Sequence, residues 1–289
     1  MRAWACAVAV VLLASGCTSA GSDSADPPAS ESPAPTSEPA TSETAADPAG
    51  LHLDCAGEGG PAIVLVAGLN TSGGTFADLR DRLAEGTTAC FYDRAGIGLS
   101  PPLAKNDPDP SPGSAAADLR KTLSAAGVEP PYVVLGWSYG GLVAQAYAKD
   151  FPDDLAGLVL EDPSVREQFV AGPLNDRGFM WREGGRTIHK EVVAEELAGL
   201  DLGDLPVAVI SQDSKESWIG PWYRAHDRLA RATTDGIHAI GLGSGHAMHD
   251  DVPGFVARAV QTVWSAASAG TPLPACRAVF ATAGGRCRV

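Results

Sequence analysis

The residues best equipped for chemistry stand together in the run Gly136-Trp137-Ser138-Tyr139-Gly140. Residues 132–135 form an apolar run of strand character, and Leu142, Val143, Ala146 and Tyr147 recur at helical spacing. Ser138 therefore falls on a tight strand-to-helix turn, which holds it in a strained backbone conformation with its hydroxyl directed outward. Strand and helix nearly touch at such a turn, so the residues two before and two after must be small; both are glycine. The helix also aims its unpaired N–H groups at the serine, where a negative oxygen formed beside it would be stabilised. A glycine-rich connection carrying a serine by chance has the same pattern, so the surrounding elements must decide.

From Leu51 onward, strand-like and helix-like segments alternate. Strands are expected at residues 51–55, 62–66, 90–92, 132–135, 155–160, 207–210 and 237–242, and helices at 76–83, 118–126, 222–231 and 254–267. This alternation predicts an α/β fold, a mostly parallel central sheet with helices on both faces. The runs Ile63-Val-Leu-Val66 and Val207-Ala-Val-Ile210 are continuously apolar, as parallel strands buried on both faces should be. Residues 163–204 break the rhythm, with helical signals around 191–200 and exposed-looking Phe179, Met180 and Trp181. A connection that long is uncommon in a compact domain unless it is functional, so a helical lid over the end of the sheet is expected there.

The first segment sets the compartment. Arg2, an apolar run from Ala3 to Ala14, and the small residues of Ala14-Ser15-Gly16-Cys17 describe a secretory signal too short to span a bilayer. A cysteine directly after small residues resembles the lipobox of bacterial lipoproteins, which implies removal of residues 1–16 and a lipid on Cys17. Residues 17–50 are Ser, Thr, Pro, Ala, Glu and Asp with almost nothing to bury, and are expected to be a disordered tether to a domain at 51–289. The 35 acidic and 21 basic residues give a formal charge of −14, which argues against nucleic acid as a partner. With Cys6 and Cys17 set aside, Cys55, Cys90, Cys276 and Cys287 form an even set in an exported chain, so disulfides are expected. Three pairings exist; Cys55–Cys90 with Cys276–Cys287 is favoured, the second closing a short loop in the tail at 271–289. A zinc site is disfavoured because the chain has no C-x-x-C spacing.

Four motifs in order resemble the α/β-hydrolase family over nearly all of residues 51–267. Ala67-Gly68-Leu69-Asn70 resembles its oxyanion loop, Tyr92-Asp93-Arg94-Ala95-Gly96-Ile97-Gly98-Leu99-Ser100 its strand-end segment, Gly136 to Gly140 its nucleophile elbow, and Gly243-Ser244-Gly245-His246 its histidine loop. The resemblance implies Ser138 as nucleophile and His246 as its base. His249 is the competitor for that role, or else a surface or supporting residue; His52, His189, His226 and His238 lie in or beside other elements. For the acid that orients the histidine, Asp162 at the end of the strand Gly157-Leu-Val-Leu-Glu-Asp162 is preferred over Asp213, and both remain open. The oxyanion hole implied is the backbone N–H of Leu69 and of Tyr139, with Asn70 as an extra donor. Asp93 and Arg94 are expected to be a structural pair at the rim, and the strands carrying Cys55 and Cys90 are neighbours in the family's sheet. Epoxide hydrolase and haloalkane dehalogenase activities are disfavoured because those branches use an aspartate where Ser138 stands. The function implied is an exported, lipid-anchored serine hydrolase acting on a carboxylic ester or related acyl compound. It needs no cofactor or metal; its partners are a small acyl substrate and, through the lipid, a membrane. The alternatives are an aminopeptidase-like hydrolase and a non-catalytic cell-surface binding module on the same fold.

Overall fold

The computed structural model describes residues 50–175 and 178–289; the expected signal, Cys17 and the tether up to residue 49 lie outside them. The apolar runs become strands: β1 (Leu53–Ala56), β2 (Ala62–Val66), β3 (Ala89–Tyr92), β4 (Tyr132–Trp137) and β5 (Leu155–Glu161). After the insertion, where β6 (Arg182–Glu183) and β7 (Arg186–Thr187) pair only with each other, come β8 (Val207–Ser211), β9 (Gly236–Gly241) and β10 (Gly285–Cys287). The main sheet runs β1-β3-β2-β4-β5-β8-β9-β10. Its six inner strands are parallel and its two edges antiparallel.

Alternation across each strand divides the core into two layers. Ile63, Leu65, Val133, Leu135, Val159 and Ala208 pack with α1 (Ala77–Ala84), α7 (Pro253–Ala269) and α8 (Cys276–Phe280). Val64, Val134, Leu158 and Val209 pack on the other face with α2 (Pro112–Ala125) and α3 (Tyr139–Asp150), whose Leu119, Leu123 and Leu142 are fully buried. Each such side chain contributes about 1.5–3 kcal/mol. On α5 (Ile219–Ala230), Trp222, Tyr223 and Ala225 pack with Ile240 of β9 and Val165.

Two expectations need correction. α2 starts at Pro112 rather than near 118, because Ser111 and Ser114 form a capping box and Pro112 takes the first turn. These start signals are buried among turn-forming Pro, Ser and Gly residues. The insertion at 163–204 is not simply helical: its described residues hold the β6–β7 hairpin and one α-helix, α4 (Lys190–Glu196). Phe179 and Met180 are exposed as expected, but Trp181 is buried against Phe169 and Tyr139.

Disulfides join Cys55 to Cys90 and Cys276 to Cys287. The first spans residues directly opposite in β1 and β3, and the second ties α8 to β10. Such bonds belong to an oxidising compartment. Among the described residues, no helix is long and apolar enough to cross a membrane.

Candidate active site

Ser138 stands between the last residue of β4 and the first of α3, with φ 54° and ψ −118°. A Cβ on Gly136 would run into the Gly140 carbonyl, and one on Gly140 into the Val66 and Ala67 carbonyls, so only glycine fits on either side of the turn. The conformation costs about 1–3 kcal/mol and is held by neighbours. Ser138 N donates to Glu161 O at 3.1 Å, while its carbonyl accepts from Gly141 N and Ser164 N, each at 2.9 Å. Among the described residues, the non-glycine residues with positive φ are Asn70, Ser138 and Asp162. They follow β2, β4 and β5, adjacent strands, so the backbone strain gathers at one sheet edge.

The same edge receives His246. Trp137 Nε1 donates to the His246 carbonyl at 2.7 Å, and the two rings lie 5.4 Å apart. This places the histidine loop over the strand end that carries the serine. His246 Nδ1 lies 2.6 Å from Asp162 Oδ2; the histidine side chain is 46% exposed and the aspartate fully buried. Asp162 accepts further bonds from Trp222 Nε1 and Gln212 Nε2, both at 2.8 Å. Burial pushes the Asp162 carboxyl up, but the His246 bond, the nearby His226 and His246 rings and the Trp222 bond together hold it below the usual carboxylate range. For His246 the balance runs the other way. Burial lowers its pKa, and the bond to and charge of Asp162, helped by Glu161, raise it above the ordinary 6.5.

Asp213 reaches the loop but not the ring. Its Oδ2 accepts from Gly243 N at 3.2 Å, and its own N–H donates to Ser244 O at 3.0 Å. His249 is buried rather than at the surface. Its Nδ1 is 2.8 Å from Glu161 Oε1 and its Nε2 3.0 Å from Thr75 Oγ1, so both ring nitrogens are engaged. Glu161 and Asp162, consecutive residues, thus each hold one histidine, with Trp137 packed against both rings.

The loop from Ala67 to Asn70 is clamped from beneath. Arg94 donates to the Ala67 carbonyl at 2.7 Å and the Gly68 carbonyl at 2.6 Å, and its guanidinium pairs with Glu183 of β6 at 2.7 Å. Asn70 is spent on the same hairpin: its backbone N–H donates to Glu183 at 2.9 Å and its Nδ2 to the Arg182 carbonyl at 2.8 Å. The hairpin thus engages the Asn70 backbone N–H and one of its two Nδ2 protons. Leu69 lies on this clamped loop, and Tyr139 is the first residue of α3, where a backbone N–H has no partner within its own helix. Asp93 and Arg94 serve the rim through different partners. Asp93 accepts from Ser72 Oγ, Gly73 N and Leu99 N.

A further set of polar residues escaped sequence reasoning. Ser211 Oγ lies 2.6 Å from His226 Nδ1 and 2.7 Å from His238 Nε2, with all three side chains fully buried. His226 Nε2 donates to the Pro163 carbonyl at 2.9 Å, which fixes the backbone directly after Asp162. His238 Nδ1 meets Asp227 Oδ1 at 2.7 Å, and Arg288 from the tail grips the same carboxylate. Burial lowers the His226 pKa to about 4 despite the opposing charge of Asp162. No local spacing announces this chain; pairing of β8 with β9 assembles it. Among the described residues, no cluster of three His, Cys, Asp or Glu side chains is placed to hold a metal. A groove of about 600 Å³ lies between α1 and α7 and includes Ile63 at the start of β2, at the opposite end of that strand from the serine turn.

Comparison with known proteins agrees with the geometry. A family model described as alpha/beta hydrolase fold matches residues 61–230, more than half of the chain. The uncharacterized protein YqjL of Bacillus subtilis (strain 168) is 28% identical over 222 residues, 73% of this chain and 86% of that protein. The pimeloyl-[acyl-carrier protein] methyl ester esterase of Chromobacterium violaceum is 36% identical over 140 residues, 48% of each chain. Among solved structures, a thermophilic esterase from Thermogutta terrifontis superposes with a TM-score of 0.58 at 20% identity, covering 76% of this chain and 95% of that one. An esterase from Exiguobacterium antarcticum gives 0.55 at 15% identity over 77% and 99%. With the parallel sheet, the serine turn after β4 and the histidine loop after β9 in one order, the chain belongs to the alpha/beta hydrolase fold family and is a hydrolytic enzyme.

Proposed function

We propose that the protein hydrolyses a carboxylic ester or related small acyl substrate through Ser138, His246 and Asp162. The observation that carries this reading is the 2.6 Å bond from Asp162 to His246, made beside the strained Ser138 turn. Asp162 fixes the Nδ1–H tautomer, which leaves Nε2 as the base. Ser138 Oγ attacks the substrate carbonyl as Nε2 takes its proton. The tetrahedral oxyanion is held by the backbone N–H groups of Leu69 and Tyr139. The imidazolium then protonates the leaving alcohol, and water, activated by the same Nε2, releases the acid from the acyl-enzyme. The ester substrate of the Chromobacterium violaceum relative supports the reaction class.

The two disulfides and the Ala3 to Cys17 pattern support export, with residues 1–16 removed and a lipid on Cys17. The insertion at 163–204, whose hairpin clamps the oxyanion loop, serves in this reading as the lid. A fluorophosphonate probe should label the wild type and not Ser138→Ala. Equal labelling of that variant, folded by circular dichroism, would end the assignment.

A further inference from the structure

Glu161 ends β5 fully buried, and its two side-chain oxygens are treated differently. Oε1 accepts from His249 N at 2.8 Å and lies 2.8 Å from His249 Nδ1, whereas Oε2 is buried with no hydrogen-bond partner among the described residues. A carboxylate oxygen shut away from water without a donor is costly and needs a reason. A hydrogen placed on Oε2 would be equally unpaired, and an Oε1 that takes two N–H groups suits the ionised form. A buried negative charge is therefore left half unmatched at the end of this strand.

Its surroundings are the three loops of the proposed reaction. The Glu161 carbonyl accepts from Ser138 N at 3.1 Å. Glu161 stands opposite Trp137 in the register of β4 with β5, and the Trp137 ring lies 4.7 Å from the His249 ring and 5.4 Å from the His246 ring. His249 Nε2 in turn lies 3.0 Å from Thr75 Oγ1, in the turn Gly73–Phe76 that follows the oxyanion loop. One residue thus joins the serine turn, the histidine loop and the segment beyond the oxyanion loop. Burial lowers the His246 pKa, and the charge of Glu161 joins the bond and charge of Asp162 in raising it. The other acids near that loop hold its backbone: Asp213 accepts from Gly243 N and Asp251 from Gly245 N.

We propose that Glu161 is a positioning residue of the reaction, a second carboxylate that holds the histidine loop through His249 and whose unbonded oxygen favours the imidazolium formed on His246 as Ser138 attacks. This role rests on the reading of Ser138, His246 and Asp162 as the triad. Asp162 orients the base by a bond, and Glu161 acts on it by charge. That charge is fixed by the fold before the substrate arrives, so no reorganisation is needed when the imidazolium forms.

Glu161→Gln keeps an oxygen for His249 and removes the charge. With p-nitrophenyl acetate, kcat should fall about tenfold while KM stays within about twofold of wild type, since the uncharged ester does not sense the lost charge. The acidic limb of kcat/KM should move to lower pH, because a cause of the raised His246 pKa is gone. A residue that only held the fold would lower the plateau and leave the limb in place. Thr75→Val, which breaks the bridge beyond His249 but keeps the charge, should not move the limb. Where Glu161→Gln does not fold by circular dichroism, Glu161→Leu combined with His249→Phe removes both partners of the buried bond and carries the same test. A limb unmoved by loss of the charge, or moved as far by Thr75→Val, overturns the proposal. NMR titration of the His246 ring reads the same change without turnover. Absence of both fluorophosphonate labelling and ester turnover in the wild type would instead strike the triad, and the ring titration would still decide whether Glu161 acts on His246.

Discussion

Asp162 is committed by four groups at once: His246, Trp222 and both donors of Gln212 reach its carboxylate. If it orients the base, Asp162→Asn should lower kcat/KM by about 10⁴, the loss expected when the tautomer is wrong. Asp213→Asn, which only loosens the backbone of the histidine loop, should cost tenfold or less. Steady-state kinetics of the two variants decides between them, and a reversed order would reassign the acid. The pH profile follows from the raised His246 pKa. As a base His246 must be neutral, so activity should be lost as pH drops through a limb lying above 6.5. Asp162→Asn removes the main raising cause while burial remains, so the limb should move down. A wild-type limb below 6.5 would contradict the arrangement. The sign for stability is opposite: the raised pKa favours the folded state below pH 6.5, and that gain is lost as pH rises through the folded pKa.

At the scale of elements, the Arg94–Glu183 pair is the joint between the inserted hairpin and the oxyanion loop. Both side chains are about 4% exposed or less, so removing one partner strands a buried charge. Glu183→Ala should therefore destabilise the protein by about 3–5 kcal/mol, read from urea unfolding. Arg94→Met in the same chain should recover part of that loss, because the orphaned charge goes with it. A single variant within about 0.5 kcal/mol of wild type would mean that the hairpin is held by other contacts. The hairpin was not legible in the sequence, because two-residue strands around Gly184-Gly185 carry too few side chains to show a period. The first six residues of α2 were lost to sequence reading for a related reason, since caps and turns use the same residue types.

For the whole molecule, the two disulfides point toward an exported domain, and the Ala3 to Cys17 pattern carries the proposed anchor. The proposed lipid on Cys17 would be the membrane attachment, and fractionation tests it. Full-length protein should sediment with membranes after cell lysis, and Cys17→Ala should shift it to the soluble or secreted fraction with its hydrolase activity unchanged. Membrane association untouched by that substitution would remove the anchor from the proposal. The C-terminal tail has a role beyond stapling: β10 extends the sheet past β9, and Arg288 grips Asp227 at the outer end of the buried Ser211–His226–His238 chain.

What the sequence determined by itself is local. Gly136 and Gly140 leave room for the tight turn that strains Ser138, and the continuous apolar runs of β2 and β8 suit strands buried on both faces. These features depend on residues within a few positions of one another. Tertiary structure decided what long separations hide. His246 meets a carboxylate 84 positions away because strand order sets the end of β5 between β4 and β8, beneath the loop that follows β9. Glu183 closes on Arg94 across 89 positions, and His249, three residues from His246, is drawn into the core by Glu161. Spacing along a chain fixes a turn; which of several acids and histidines share a site is fixed only when the sheet brings their strand ends to one edge.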